Sequence, residues 1–211
     1  MAPDNQQIAT ILAQRSRPLA KVIKAIGPPP PRRPIPVPQR FESLATAILH
    51  QQLAGAAAAT ITQRVITMLG GHITPEALKR VSDEHLRSCG VSGAKSVALQ
   101  DLASRTQQGH LRFDRMGRMS DQEVLDSLVA TKGVGTWTAQ MFLMGALGRH
   151  DIWPTGDLGV RNGWAAIHRL DQAPTPKKLE DLADHLAPYR SDVAWYCWRA
   201  IDLQRQGTLP R

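Results

Sequence analysis

The chain of 211 residues is long enough to bury a hydrophobic core, as one domain or as two small lobes. Its 42% hydrophobic and 21% charged residues are ordinary for a soluble globular protein. Lysine and arginine total 26 against 18 acidic residues, for a net charge of +8 and a pI near 10.1. This excess favours a polyanionic partner such as nucleic acid, although a basic, solvated surface without a specific partner would have the same composition.

The two cysteines, Cys89 and Cys197, lie far apart and show no C-x-x-C spacing. They are too few for a cysteine-ligated iron–sulfur cluster or a zinc ribbon, and they indicate a reducing compartment without structural disulfides. Cys197 lies in an apolar run and is predicted to be buried. The first residues lack the apolar region of a signal peptide and no stretch approaches transmembrane length, so we expect a cytoplasmic protein without a membrane partner.

In chain order, residues 6–26 predict one or two helices, interrupted at Pro18. Seven prolines then fall between Gly27 and Pro38, which excludes a helix interior and favours an extended, polyproline-like segment. This segment could be a recognition motif for a proline-binding domain. We favour a stiff connector between two lobes, because the sequence on both sides is typical of folded protein.

Closely spaced helices are predicted from Phe41 onward. Apolar residues at helical spacing are Phe41, Leu44, Ile48 and Leu49. An alanine-rich helix is expected from about Ala54 to Leu69. Side chains that mark helix starts are Thr74, Ser82, Ser92 and Thr175, and Ser120 with Glu123 forms a capping box. The stripe predicted to be buried behind this box is Val124, Leu125, Leu128 and Val129. No window shows the two-residue alternation of a strand, so the predicted fold class is all-α.

The segment from Leu125 to Gly148 joins two predicted helices through Gly133-Val134-Gly135. Two glycines around one apolar residue permit a very tight turn and expose successive backbone N–H groups at the N-terminus of the second helix. Such a turn can bind a phosphate group without recognising sequence. An ordinary tight helix–helix connection would show the same G-x-G pattern.

The flanking residues favour phosphate binding, because the segment resembles the helix-hairpin-helix element of DNA repair glycosylases, L-x-x-L-P-G-V-G-x-x-T-A. The matching residues are Leu128, Gly133, Val134, Gly135, Thr138 and Ala139. Thr131 replaces the second leucine, and Lys132 replaces the proline. The DNA-binding residues that the resemblance implies here are Lys132, Gly133, Val134, Gly135 and Thr136. The resemblance also implies a structural Na⁺ or K⁺ ion held by the backbone carbonyls of Val129, Thr131 and Val134.

Asp157 follows the hairpin, after Pro154 and Gly156 and before a predicted helix. By itself this position predicts an N-cap, worth about 1 kcal/mol. In the glycosylases that the chain resembles, an aspartate after such a loop is catalytic, and the resemblance makes Asp157 the candidate catalytic carboxylate. Cleavage of an N-glycosidic bond leaves positive charge on the sugar, which a carboxylate stabilises while it orients or deprotonates the attacking water. The two roles are compatible.

Bifunctional members of this superfamily carry a Schiff-base lysine where this chain has Trp137. The resemblance therefore implies a monofunctional enzyme that leaves an abasic site. Trp137 and the segments "FESLATAILHQQLAGAAAATI" and "APYRSDVAWYCWRAID" resemble those of bacterial 3-methyladenine DNA glycosylase II, over about residues 41–204. This implies excision of alkylated purines, of the 3-methyladenine and 7-methylguanine type, after the base has been flipped out of the duplex.

The resemblance also implies site residues by position. The expected base pocket consists of Trp137, Met141, Leu158 and Trp198. Aromatic rings attract a cationic alkylated base by about 0.5–2 kcal/mol. Gln52 is expected to fill the gap left by the flipped base, the alternative being a helix-end glutamine that faces solvent. Lys95 is either a phosphate contact or a solvated lysine, and Trp195 is expected in the core.

The expected architecture is two helical lobes with a DNA-binding cleft between them. Residues 41–150 would form the lobe that ends in the hairpin, and residues 1–40 with 151–211 the lobe that carries the Asp157 loop. We expect a nucleoid-associated monomer that binds double-stranded DNA with damaged bases and uses no catalytic metal, since the seven histidines lack metal-ligand spacing. The alternatives are a glycosylase for uracil, mismatched or oxidised bases, and a non-catalytic helix-hairpin-helix DNA-binding protein.

Overall fold

The computed structural model describes residues 3–53 and 55–210, and these residues form helices joined by loops, without a strand. The helices are α1 (Asn5–Arg15), α2 (Arg17–Ile26), α3 (Val37–His50), α4 (Gly55–Met68), α5 (Pro75–Lys79), α6 (Asp83–Ser88), α7 (Gly93–Gln107), α8 (Asp121–Val129), α9 (Thr136–Gly145), α10 (Leu158–His168), α11 (Pro176–Leu182) and α12 (Arg190–Arg205). Turns of 3₁₀ helix lie at Met116–Arg118 and Asp184–Leu186. The predicted all-α fold class is confirmed.

The helices belong to two compact units. The central unit is continuous, from Pro34 to Leu147, and contains α3 to α9. The terminal unit combines the residues up to Arg33 with those from Gly148 onward, so that α1 and α2 share a unit with α10, α11 and α12. Both ends of the chain are therefore needed to build the unit that carries Asp157.

Helices begin where the sequence places capping side chains. The Ser120 Oγ accepts from the Glu123 backbone N–H at 3.3 Å, and the Glu123 carboxylate accepts from the Ser120 N–H at 2.7 Å. Other predicted caps each accept a backbone N–H three residues on: Thr74, Ser82, Ser92 and Thr175. All these predicted caps are confirmed. Capping depends on residues within one helical turn, and for that reason the sequence alone could predict it.

Some predicted details are wrong. Helix α3 already begins at Val37, so the extended segment ends at Pro36, and Pro38 lies in the first helical turn, where its missing N–H has no helical partner to lose. Val129 is 39% exposed because α8 ends there, and it does not belong to the buried stripe. Trp195 is half-buried and not a full core residue. The predicted start of the alanine-rich helix, Ala54, lies outside the described residues.

Each unit has its own apolar core. In the central unit, Phe113 makes edge contacts with Phe41 and Phe142, with both pairs of ring centroids 5.9 Å apart. In the terminal unit, α10 packs against α12, and the buried Tyr196 donates from its hydroxyl to the Gly27 carbonyl at 2.8 Å. None of the helices among the described residues combines the length and the apolar character needed to span a bilayer.

Candidate active site

The turn between α8 and α9 depends on Gly133 for two independent reasons. Its φ of +73° lies in the left-handed region, which side chains other than glycine rarely adopt. A Cβ atom at this position would also lie 2.8 Å from the Cβ of Ala98 on α7, closer than real Cβ contacts. The glycine therefore permits both the tight turn and its close packing on α7.

The N-terminus of α9 is left without a side-chain cap. Gly135 is its N-cap residue, and a Cβ added there would meet nothing within 4 Å. The first residues of the helix, Thr136 and Trp137, are exposed. A helix of this length with an uncapped, exposed N-terminus presents N–H groups and the positive end of its dipole to an anion. This is the chemistry that the predicted phosphate contact requires.

The structure accounts for Lys132 at the position where the hairpin motif has proline. The Lys132 backbone N–H donates to the Asp101 Oδ2 at 2.9 Å, and the same carboxylate oxygen accepts from the Arg105 Nε at 3.0 Å. A proline would bring no N–H to this turn. Asp101 on α7 thus supplies the acceptor that the lysine makes necessary, and no local pattern in the sequence links the two residues.

Thr131 is the other departure from the motif. It is buried, and its Oγ1 has no hydrogen-bond partner among the described residues. Its carbonyl accepts from the Val134 N–H at 3.1 Å, which uses one of two lone pairs. A turn with an unpartnered buried oxygen and several peptide carbonyls fits an all-oxygen cation site, so the predicted Na⁺ or K⁺ ion at Val129, Thr131 and Val134 is compatible with this geometry and stays a prediction.

The chain after α3 forms a tight turn that carries the predicted wedge, Gln52. Gln51 has φ −54° and ψ 132°, Gln52 has φ +57°, and the Leu53 N–H donates to the His50 carbonyl at 3.4 Å. These values are typical of a type II turn, whose third position favours glycine. The exposed Gln52 therefore holds a strained backbone, of the order of 1–3 kcal/mol, of the kind that often occurs at functional sites.

Two side chains hold this turn in place. The Gln51 Nε2 donates to the Gly133 carbonyl at 3.0 Å and to the Thr138 Oγ1 at 3.2 Å. The Lys95 ammonium donates to the Leu49 carbonyl at 2.7 Å, near the C-terminus of α3, and partial burial lowers the pKa of Lys95. Sequence reasoning missed Gln51 altogether. Lys95 has a capping role that was not predicted, and its phosphate contact stays a prediction.

Asp157 lies at the N-terminus of α10 in the terminal unit. Its Oδ1 accepts from the Val160 backbone N–H at 2.7 Å, so the predicted N-cap is confirmed. The same oxygen accepts from the Trp198 indole Nε1–H at 3.1 Å. Because two donors on different helices bind one oxygen, the carboxylate is held in a fixed direction while its residue stays partly exposed.

Small residues on α10 allow Trp198 to reach Asp157. A Cβ at Gly159 would lie 3.0 Å from both the Asp157 Oδ1 and the Trp198 Cδ1. One turn later, a Cβ at Gly163 would collide with the backbone carbonyl of Cys197. The two glycines thus bring α12 close to α10. Cys197 itself is fully buried, and burial raises the pKa of its thiol, as is typical of a structural cysteine.

The residues of the predicted base pocket belong to both units. Trp137 and Met141 lie one turn apart on α9 of the central unit, and the Trp137 side chain is 50% exposed. Leu158 and Trp198 flank Asp157 in the terminal unit, and Leu158 is 61% exposed. The Trp137 and Leu158 side chains are each accessible within their own unit, and a base pocket that combines the four residues stays a prediction.

Comparison with known proteins identifies the family. A family model described as HhH-GPD superfamily base excision DNA repair protein matches residues 45–188. DNA-3-methyladenine glycosylase 1 of Schizosaccharomyces pombe is 33% identical over 186 residues, 87% of this chain and 82% of that protein.

Two solved structures also match the chain over most of its length. The 3-methyladenine DNA glycosylase of S. pombe in complex with abasic DNA has a TM-score of 0.81 at 31% identity and covers 91% of this chain and 95% of its own. A DNA-3-methyladenine glycosidase from Bacillus halodurans has a TM-score of 0.84 at 34% identity, over 94% of this chain and 90% of its own. The chain belongs to the HhH-GPD superfamily of base excision DNA repair proteins.

Proposed function

We propose that this protein is a monofunctional DNA glycosylase that hydrolyses the N-glycosidic bond of alkylated purines in duplex DNA and leaves an abasic site. The observation that carries the proposal is the Asp157 carboxylate, held by the Val160 N–H and the Trp198 indole N–H. The similarity to 3-methyladenine DNA glycosylases of S. pombe and B. halodurans supports the alkylated base, and the abasic DNA bound to the S. pombe enzyme supports the product.

The chemistry assigned to Asp157 begins with a flipped nucleotide, because the bond cannot be reached inside a stacked duplex. The bond from C1′ to the base nitrogen breaks, and its electron pair leaves with the base. A base alkylated at a ring nitrogen is cationic and departs neutral, so it needs no general acid. The Asp157 carboxylate stabilises the positive charge left on the sugar, orients the attacking water and accepts its proton as the new C1′–O bond forms.

Residue 137 supports the monofunctional proposal. A lyase reaction needs an amine that attacks C1′ and forms an imine with the sugar. Trp137 offers no amine at the position where bifunctional members carry the lysine. The abasic site would therefore be the final product.

The aromatic residues support the choice of substrate. Trp137 on α9 of the central unit and Trp198 beside Asp157 in the terminal unit each carry a ring whose face would attract a cationic base without hydrogen bonds to its edge. Such recognition depends on charge and shape, and it would admit both 3-methyladenine and 7-methylguanine. A uracil, which is neutral, would gain little from the same rings.

The test measures free base and strand breaks separately. The protein is incubated with duplexes that contain 3-methyladenine and 7-methylguanine, uracil, or 8-oxoguanine, and half of each reaction is heated in alkali. We expect release of methylated purines, with strand breaks only after alkali. Breaks without alkali would contradict the monofunctional mechanism, excision of uracil or 8-oxoguanine alone would contradict the substrate, and binding without release of any base would indicate a non-catalytic protein.

A further inference from the structure

Within the central unit, one side chain joins the α8–α9 hairpin to the turn that follows α3. We propose that Gln51 is a positioning residue that couples these two elements, so that binding of the DNA backbone by the hairpin places Gln52 for insertion into the duplex. The inference rests on the proposed function, since it concerns how the base is flipped before excision. In this role Gln51 acts on other residues of the protein and does not itself contact the DNA.

Two hydrogen bonds join the Gln51 side chain to the hairpin. Its amide nitrogen donates to the Gly133 carbonyl at 3.0 Å and to the Thr138 hydroxyl at 3.2 Å. Gly133 lies within the turn, and Thr138 is a buried residue of the first turn of α9. The side chain thus binds the two ends of the segment that presents backbone N–H groups to a phosphate.

The backbone of Gln51 controls the conformation of the next residue. Gln51 occupies the second position of a type II turn and Gln52 the third, with φ +57°. A left-handed backbone at a residue other than glycine persists only when its surroundings hold it. The Lys95 bond to the Leu49 carbonyl fixes the turn on one side, and the Gln51 side chain fixes it on the other.

This arrangement makes the position of Gln52 depend on the hairpin. A wedge side chain opens a base pair only if it is held rigidly against the duplex while the hairpin grips the backbone. If the Gln51 bonds are lost, the hairpin can still bind phosphates, whereas Gln52 relaxes toward other backbone conformations. Loss of Gln51 should therefore slow flipping more than it weakens binding.

The test uses Gln51→Met, which keeps the length of the side chain and removes its donor. A 2-aminopurine placed beside a 7-methylguanine in a duplex reports unstacking by its fluorescence, before any bond is cleaved. We expect affinity for undamaged duplex within about twofold of wild type. In Gln51→Met the rate of the fluorescence change and the rate of single-turnover excision should both fall by about tenfold. This is the size of effect expected when two hydrogen bonds are lost. The same lesion opposite an abasic site needs no opening of a pair and should be excised at nearly the wild-type rate.

Gln63→Met, at an exposed position on α4, is the matched control and should behave as wild type. If Gln51→Met unfolds at a lower temperature, Thr138→Val removes one acceptor and leaves Gln51 intact, and a smaller effect in the same direction is expected. The coupling would be overturned if both variants unstacked 2-aminopurine at the wild-type rate. It would also be overturned if they lost affinity equally for damaged and undamaged duplex. A wild-type protein that unstacks 2-aminopurine and excises nothing would instead contradict the proposed function and leave the coupling in place.

Discussion

The Asp157 side chain serves both the fold and the proposed chemistry. Its Oδ1 caps α10 through the Val160 N–H and accepts from the Trp198 indole. A carboxylate fixed by donors of the folded protein needs no reorganisation when positive charge develops beside it. Trp198, expected from the resemblance as a pocket residue, also orients this carboxylate, which links the ring that would meet the base to the group that would act on the sugar.

The replacement of proline by Lys132 predicts a measurable coupling with Asp101. Asp101→Ala should lower the free energy of unfolding by about 1–2 kcal/mol, because the Lys132 N–H loses a charged acceptor. In a Lys132→Pro background no N–H is present, and the same substitution should have a smaller effect. Urea unfolding of the two single variants and the double variant measures the difference, and the Arg105 bond to Asp101 cancels in this cycle. Additive effects would contradict the explanation.

His168 predicts how stability depends on pH. Its ring stacks on Trp164 with centroids 4.1 Å apart, and burial, with a smaller effect of His185, lowers the pKa of His168 from 6.5 to about 4. The folded state therefore binds this proton later than the unfolded state as the pH falls. The free energy of unfolding therefore keeps the whole of this contribution above pH 6.5 and loses it as the pH falls from 6.5 to about 4. With an allowance for the partial exposure of the ring, the loss is about 2 kcal/mol.

The check is urea unfolding at pH 7 and pH 4. His168→Gln cannot be protonated, so it should lose less stability than wild type over this range. His110→Gln, at an exposed position, is the control and should follow wild type. An identical pH dependence in wild type and His168→Gln would show that this histidine does not contribute.

At the scale of helices, the close approach of α10 and α12 predicts that Gly163 cannot be replaced by a residue with a side chain without loss of stability. Gly163→Ala places a methyl group against the Cys197 carbonyl, and because this is backbone, the helices must separate. We expect a loss of about 2–4 kcal/mol in the free energy of unfolding, and slower excision because Trp198 moves away from Asp157. Gly145→Ala on α9, where a Cβ meets nothing within 4 Å, is the control and should be neutral or slightly stabilising. If Gly163→Ala changed the free energy of unfolding as little as Gly145→Ala does, the close contact between Gly163 and the Cys197 backbone would be contradicted.

Elements predicted from the sequence are those that depend on neighbours within one helical turn. The Ser120–Glu123 capping box and the Asp157 cap are such cases, and both are confirmed. The missed features join residues far apart in the chain: Gln51 with the hairpin, and Asp101 with Lys132. Nothing in a single sequence marks such partners, because each residue alone resembles an ordinary polar residue on a helix or at its end.

At the scale of the whole molecule, the proposed function divides between the two units. The central unit carries the uncapped N-terminus of α9 and the Gln52 turn, which suit contact with the DNA backbone and the duplex. The terminal unit carries Asp157 and Trp198, which suit the chemistry. The net charge of +8 favours association with DNA irrespective of sequence, and it gives no preference for a particular base.

The most direct measurement is single-turnover excision by Asp157→Asn on a duplex with one 7-methylguanine, beside its affinity for the same duplex. Asparagine keeps the cap and the shape but carries no charge, so we expect the rate to fall by about a hundredfold or more, with affinity nearly unchanged. Asp181→Asn, at an exposed position on α11, should excise like wild type. An Asp157→Asn variant that excises at a rate close to wild type would contradict the catalytic role of this carboxylate.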